Sequence, residues 1–238
     1  MAAGILMAGL ASCALSIGGL QHRTNSYTVG GVTTLVVTDQ AGNVQVTGGN
    51  SAAISVTEHI SFHGTAPPTT HHTASGTLSL DSHCPATETC TVGYTITAPR
   101  ATTVRVSEGA GSVTLGSLGG PVTAHVNAGR ISLSSLAGAV DVSSHAGSIG
   151  GQQLSSASAS LHVSAGAIDV TFSAPPTALT ATSDVGAITV RVPNSVQYHV
   201  TTSTTVGNVR VSVSRSSTAS RTITASTKTG SITIEPSG

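Results

Sequence analysis

Past about residue 20 the apolar side chains of this chain fall on alternate positions in short runs. Val122, Ala124 and Val126 are separated by the polar Thr123 and His125. After the interruption Asn127-Ala128-Gly129-Arg130, the alternation resumes with Ile131 and Leu133. A period of two places one set of side chains against a core and the other in solvent, the signature of a half-buried β-strand. No segment beyond that point sustains the 3.6-residue period of an amphipathic helix, so the pattern predicts an all-β chain.

The interruption recurs. It reads AGNV at 41–44, AGSV at 110–113, AGRI at 128–131, AGSI at 146–149 and AGAI at 165–168, then VGAI at 185–188, VGNV at 206–209 and TGSI at 229–232. The motif glycines Gly111, Gly129 and Gly147 are evenly spaced. The step then lengthens a little each time, to Gly166, Gly186, Gly207 and Gly230. A phrase repeated at a period of about 20 residues marks a solenoid or array. Each glycine, Gly42 included, is read as a structural turn glycine between two alternating runs, and at Gly129, where the backbone must turn, a positive φ is expected. Leu118, Leu136 and Leu154 recur at one fixed offset after three of these glycines and are expected to fill the interior at the next corner. The fold expected is a parallel β-helix or β-solenoid with about 18–23 residues per coil. An antiparallel meander or sandwich, with each glycine at a hairpin tip, is the alternative.

Residues 45–105 carry no copy of the phrase. Their runs are longer (ISVTEHISF, TLSLDSHC, CTVGYTITA), and the loop joining the first two holds Pro67-Pro68, which cannot sit in a central strand. The expected organisation is an irregular N-terminal cap over 27–106 and regular coils over 107–238, together one strand-repeat domain. Cys84 and Cys90 bracket CPATETC in the cap. Outside the cytoplasm a disulfide is the natural state of such a pair, and closing a ring of this size contributes about 2–2.5 kcal/mol. A metal site with His83 and two free thiols are the alternatives; the spacing is wider than that of a zinc knuckle.

The N-terminus, MAAGILMAGLASC, is apolar or small up to its cysteine, within the range of a signal-peptide core and too short to span a bilayer. Leu10-Ala11-Ser12-Cys13 resembles the lipobox of bacterial lipoproteins. That resemblance implies a signal peptide over 1–12, acylation of Cys13, and a lipidated linker over 13–26 holding the protein on the outer face of the cytoplasmic membrane.

Composition narrows the function classes. Only 8% of residues are charged, 2% are aromatic, Trp is absent, and nine basic residues balance nine acidic ones. Eight of the basic residues are Arg, scattered from Arg23 to Arg221, and Lys228 is the single Lys. There is neither the basic footprint of a nucleic-acid binder nor a polybasic patch for anionic lipid.

From Tyr27 to Pro236 the chain resembles the putative-adhesin β-strand-repeat family of bacterial envelope proteins, particularly actinobacterial lipoproteins. The features that carry the resemblance are Cys13 in its lipobox, Ser26-Tyr27-x-Val29, AGNVQVTGG at 41–49, CTVGYTITAP at 90–99 and the serial glycine units. It implies a solenoid-like repeat fold without established enzymatic activity.

No catalytic constellation emerges from the residues. A glycosidase needs two carboxylates facing one substrate, and Asp141, Asp169 and Asp184 share no repeat position. No nucleophile elbow and no phosphate-cradling glycine loop before a helix is present. His59, His63, His71, His72 and His83 cluster in sequence, and imidazole is a common metal ligand, but polar loops of this kind read as solvated surface. His125 and His162 share a repeat position two coils apart, too far to hold one ion. Thr95-x-Thr97, Thr180-x-Thr182 and Thr222-x-Thr224 resemble the pairs of ice-binding ladders but are scattered along the chain. The expected protein has no cofactor, no metal site and no catalytic residue. It is a lipid-anchored surface module that binds cell-wall glycan or a surface protein, or serves envelope structure. A carbohydrate-active β-helix enzyme and an accessory to an envelope signalling protein are the alternatives.

Overall fold

A computed structural model describes residues 19–85 and 89–238. Cys13, its lipobox and the expected signal peptide lie outside the described residues. The chain forms seventeen strands and no helix among the described residues: β1 (Gln21–Gly30), β2 (Thr34–Gly49), β3 (Ala53–Phe62), β4 (Thr69–Ala74), β5 (Thr77–Ser82), β6 (Cys90–Pro99), β7 (Thr103–Gly116), β8 (Val122–Ser134), β9 (Val140–Leu154), β10 (Ser158–Ala165), β11 (Ile168–Phe172), β12 (Ala178–Val185), β13 (Ile188–Val192), β14 (His199–Val206), β15 (Val209–Val211), β16 (Thr222–Thr229) and β17 (Ile232–Pro236). Each coil is one long strand, or a pair of strands, bent at the motif glycine into two arms. The first arms stack in parallel into one face and the second arms into another.

The bend solves a parity problem. In β8 the inward residues before the glycine are Val122, Ala124 and Val126, and after it Ile131 and Leu133, so the buried set passes from even to odd numbers. In a straight strand that one-residue shift would turn every later side chain to solvent. The Ala128-Gly129 corner absorbs it, with Ala128 exposed and Gly129 at φ +148°. Both arms therefore bury their apolar sides against one interior.

The interior is a set of columns. Ile131 pairs in register with Ile149 and Ile149 with Ile168, and all three are buried. Leu118, Leu136 and Leu154 line the return corner, where Ala137 N–H donates to the Leu118 carbonyl and Ser155 N–H to that of Leu136. The parallel solenoid is thus the architecture, and the hairpin meander is not.

Two features depart from simple stacking in chain order. The first is the N-terminal end. Beyond β2, the first coil, the first-arm face ends in β5 and its hairpin partner β4. The second-arm face ends in β6, β3 and β1, the last two pairings antiparallel. Cys84 and Cys90 are joined by a disulfide here, their Cα atoms 5.7 Å apart.

The second is at the C-terminal end, where the coils stack out of sequence. β16–β17 lies between β12–β13 and β14–β15, in the same parallel register with both. Burial explains the exchange. β16–β17 points Ile223, Ala225, Ile232 and Ile234 inward, and these are wholly buried; β14–β15 offers Val200, Thr202, Val209 and Val211, which remain partly exposed at the end of the stack. The more apolar coil takes the place with neighbours on both sides, where each side chain removes more area from water. The longer steps into Gly207 and Gly230 supply the chain needed to pass one rung and return.

Candidate functional site

The motif glycines form one continuous column, and their packing shows why no other residue serves. A Cβ built on Gly129 would lie 1.6 Å from the carbonyl oxygen of Gly111, and one on Gly147 would lie 1.7 Å from that of Gly129. The column runs through Gly42, Gly111, Gly129, Gly147, Gly166, Gly186, Gly230 and Gly207 in spatial order, the last two exchanged with the coils that carry them. It is a structural column with no free chemistry.

In four coils the inward residue three places before the glycine is a hydroxyl that finishes the corner, whereas Val126 and Val163 fill the same position before Gly129 and Gly166. Ser144 donates to the carbonyl of Gly129, Ser183 to that of Gly166, Thr227 to that of Gly186 and Thr204 to that of Gly230, at 3.0–3.4 Å. In the first two coils this position holds Asp39 and Glu108, register partners in β2 and β7 and both about 3% exposed. Ser82 of β5 donates to Asp39 Oδ1, and the Ala110 N–H donates to Glu108 Oε1. Asp39 Oδ2 and Glu108 Oε2 are buried without another donor. Burial and the adjacent Asp39 carboxylate push Glu108 up to about 9, so the pair holds a proton at neutral pH. The sequence gives little hint of this pair, because its members lie far apart along the chain. Their shared offset from Gly42 and Gly111 was the available signal.

Above the pair lies a groove of about 590 Å³ rimmed by His83, His125 and His145. His125 Nδ1 is 2.6 Å from Ser143 Oγ, its neighbour in the next coil. Asp39 and Glu108 themselves line this groove, each about 3% exposed and in register across adjacent coils, an arrangement that holds a proton between them. Among the described residues no three His, Cys, Asp or Glu side chains gather as a metal-holding group. His71 instead stacks on the Tyr27 ring, with centroids 4.4 Å apart.

The three aspartates singled out from the sequence stay apart. Asp141 is exposed on the outer side of the first-arm face, between Thr123 and Ser160. Asp184 pairs with Lys228 at 3.0 Å, and Asp169 with Arg191 at 2.6 Å. Each of these two pairs ties a residue near the C-terminal end of the stack to a neighbouring coil. His125 and His162 share one column with Ser143 between them. The exchange of coils aligns Thr180, Thr224 and Thr201 in a further column, so threonines that look scattered along the chain are neighbours in space.

The outer side of the second-arm face carries a depression of about 490 Å³ around Gly150. Ser132 and Asp169 occupy the same register position in the coils on either side, so the missing side chain of Gly150 leaves a notch between them. A Cβ there would have no atom within 4 Å. Immediately beyond, β9 and β11 lose register between Val170 and Phe172, and Gln153 adopts φ +53°. Such an irregularity re-aims side chains, and it leaves Gln152 exposed at the edge of the notch. Arg191 forms the far wall, held by Asp169 at 2.6 Å and by Glu235 through Nε at 2.9 Å. Arg130 forms the near wall and makes no ion pair among the described residues.

Known proteins share this architecture. Residues 70–235 match the family model described as Toastrack DUF4097. No curated protein matches the chain. The fold is similar to that of a solved structure from Bacteroides fragilis described as a putative adhesin, with a TM-score of 0.53, 16% identity, and coverage of 91% of this chain and 97% of that one. A putative adhesin from Parabacteroides merdae (TM-score 0.38, 12% identity, 92% and 97% covered) is similar at a lower level. So is a putative cell adhesion protein from Clostridium sporogenes (TM-score 0.38, 12% identity, 91% and 100% covered).

Proposed function

The chain belongs to the Toastrack DUF4097 family, and from that premise we propose that it is a non-catalytic, lipid-anchored module of the bacterial cell surface that binds envelope material through its outer faces. The observation that carries this reading is the chemistry of those faces. Register columns such as Thr180–Thr224–Thr201 and Thr182–Ser226–Ser203 present aligned hydroxyls on a rigid stack of parallel strands, with few charges among them. Hydroxyl-rich, weakly charged surfaces suit hydroxyl-bearing polymers such as glycans, and they lack the basic footprint of nucleic-acid binding. The putative adhesin from B. fragilis shares the fold. The lipobox-like Leu10-Ala11-Ser12-Cys13 supplies the anchor in this reading, with the solenoid on the outer face of the cytoplasmic membrane and cell-wall glycan or a surface protein as partner.

The test has two arms. Metabolic labelling with a fatty-acid analogue is expected to mark the wild-type chain and not Cys13→Ala, which partitions to the soluble fraction; equal labelling of both removes the anchor. Purified full-length protein is expected to sediment with isolated envelope fractions saturably, and failure to sediment removes the binding role.

A further inference from the structure

We propose that the Gly150 depression is a binding site for an anionic glycan or polyol chain, with its hydroxyls held on the Asp169–Arg191–Gln152 side and its carboxylate or phosphate held by Arg130. The inference rests on the envelope-binding reading and names the ligand class and the place.

Three observations lead there. First, the notch is built. Gly150 stands where both flanking coils carry a side chain, and the adjoining loss of register positions Gln152 at its rim. Glycine in a strand interior weakens it by about 0.5–1 kcal/mol, and this one has no close neighbour that would exclude a side chain. Unlike the column glycines, it serves no packing purpose. It leaves room for something from outside.

Second, the far wall is preorganised for vicinal hydroxyls. Arg191 spends two N–H groups on Asp169 and Glu235, and a guanidinium has five donors, so three remain. Asp169 is fixed by that bond, yet its side chain is 62% exposed and its other oxygen is free to accept. A held carboxylate beside a held guanidinium and the Gln152 amide offers paired acceptors and donors, as adjacent hydroxyls of a sugar or polyol require. Because the ion pairs fix these side chains beforehand, less rotamer entropy is lost on binding.

Third, Arg130 is a cation with no ion-pair partner among the described residues, standing between Ser112 and Ser148 in its register column. Asp169 and Glu235 together outweigh Arg191, so the far wall is net negative and suits hydroxyls, while Arg130, without an ion-pair partner among the described residues, places its positive charge at the near wall. Its planar fork matches a carboxylate or phosphate in two-point contact. No aromatic ring lines the depression, so one unit binds weakly and affinity accumulates along a polymer.

The experiment titrates full-length protein with a uronic-acid oligosaccharide, a poly(glycerol phosphate) of similar length and a neutral oligosaccharide, by calorimetry at low and high salt. Either anionic chain is expected to bind at least ten-fold more tightly than the neutral one and to weaken with salt; which of the two wins identifies the source of the anion. Gly150→Leu, whose Cβ meets no atom within 4 Å and whose longer side chain occupies the notch, and Arg130→Ala are each expected to weaken binding ten-fold or more, while circular dichroism spectra stay unchanged. Equal affinity for all three chains, or wild-type affinity in either variant, overturns the proposal. Envelope sedimentation retained by Gly150→Leu overturns the assignment of the site and leaves envelope binding standing. Loss of sedimentation by wild type removes envelope binding whatever the titrations show.

Discussion

Replacing Gly129 by alanine tests the stack at its tightest point. The new Cβ falls 1.6 Å from the Gly111 carbonyl oxygen, whereas ordinary contact begins at 3.4 Å. The two coils would have to part locally by about 1.8 Å, against a normal rung spacing of about 4.8 Å. A backbone hydrogen bond stretched by that amount is lost. Two or three lost corner bonds at about 1 kcal/mol each, added to about 1–3 kcal/mol for a side chain at a φ of +148°, predict a loss of about 3–6 kcal/mol. That is a large part of the roughly 5–15 kcal/mol typical of a domain. Gly150→Ala is the matched control: it has open space and an ordinary φ, and is expected to stay within about 0.5 kcal/mol of wild type. Gly207→Ala should fall between the two. Its Cβ would lie 1.9 Å from the Gly230 oxygen, but β14–β15 closes the stack and can retreat outward. Guanidinium unfolding followed by far-ultraviolet circular dichroism measures all three midpoints. If Gly129→Ala lies within about 1 kcal/mol of Gly150→Ala, the column does not hold the coils in place and the reasoning fails.

Other consequences follow from the same structure. Glu108 keeps its proton in the folded protein to about pH 9, whereas the unfolded chain releases it above about pH 4.5. This contribution to stability is therefore complete below about pH 4.5 and declines as pH rises towards 9, by up to about 1.4 kcal/mol per unit. Glu108→Gln, which copies the protonated acid, should flatten the decline in urea titrations; parallel curves for the two proteins would refute it. Cys84→Ser with Cys90→Ser should lower stability by about 2–2.5 kcal/mol under oxidising conditions and change nothing in strong reductant. Ser183→Ala removes the hydroxyl that caps the Gly166 carbonyl and should cost about 1 kcal/mol in thermal unfolding, while an unchanged midpoint would dismiss the cap.

Much of this molecule is legible in the order of its residues. Alternation of Val122, Ala124 and Val126 with polar neighbours names the buried side of each strand, because a strand's period is local and fixed. The repeat of Gly129 at Gly147 and Gly166 gives the coil and its bend. Leu118, Leu136 and Leu154 give the return corner, and Cys84 with Cys90 are close enough in sequence for their bond to be foreseen. Tertiary structure decided which coil lies beside which. Alternation marks a face but not a neighbour, and β14–β15 and β16–β17 fit the same register. Their places follow from the apolar area each could bury, a sum over the whole stack. The same holds for Asp39 and Glu108, brought together only when β2 stacked on β7, and for the Gly150 notch, whose walls come from several coils. A strand's own residues determine which way it faces; the company it keeps is settled by competition among all strands for the interior.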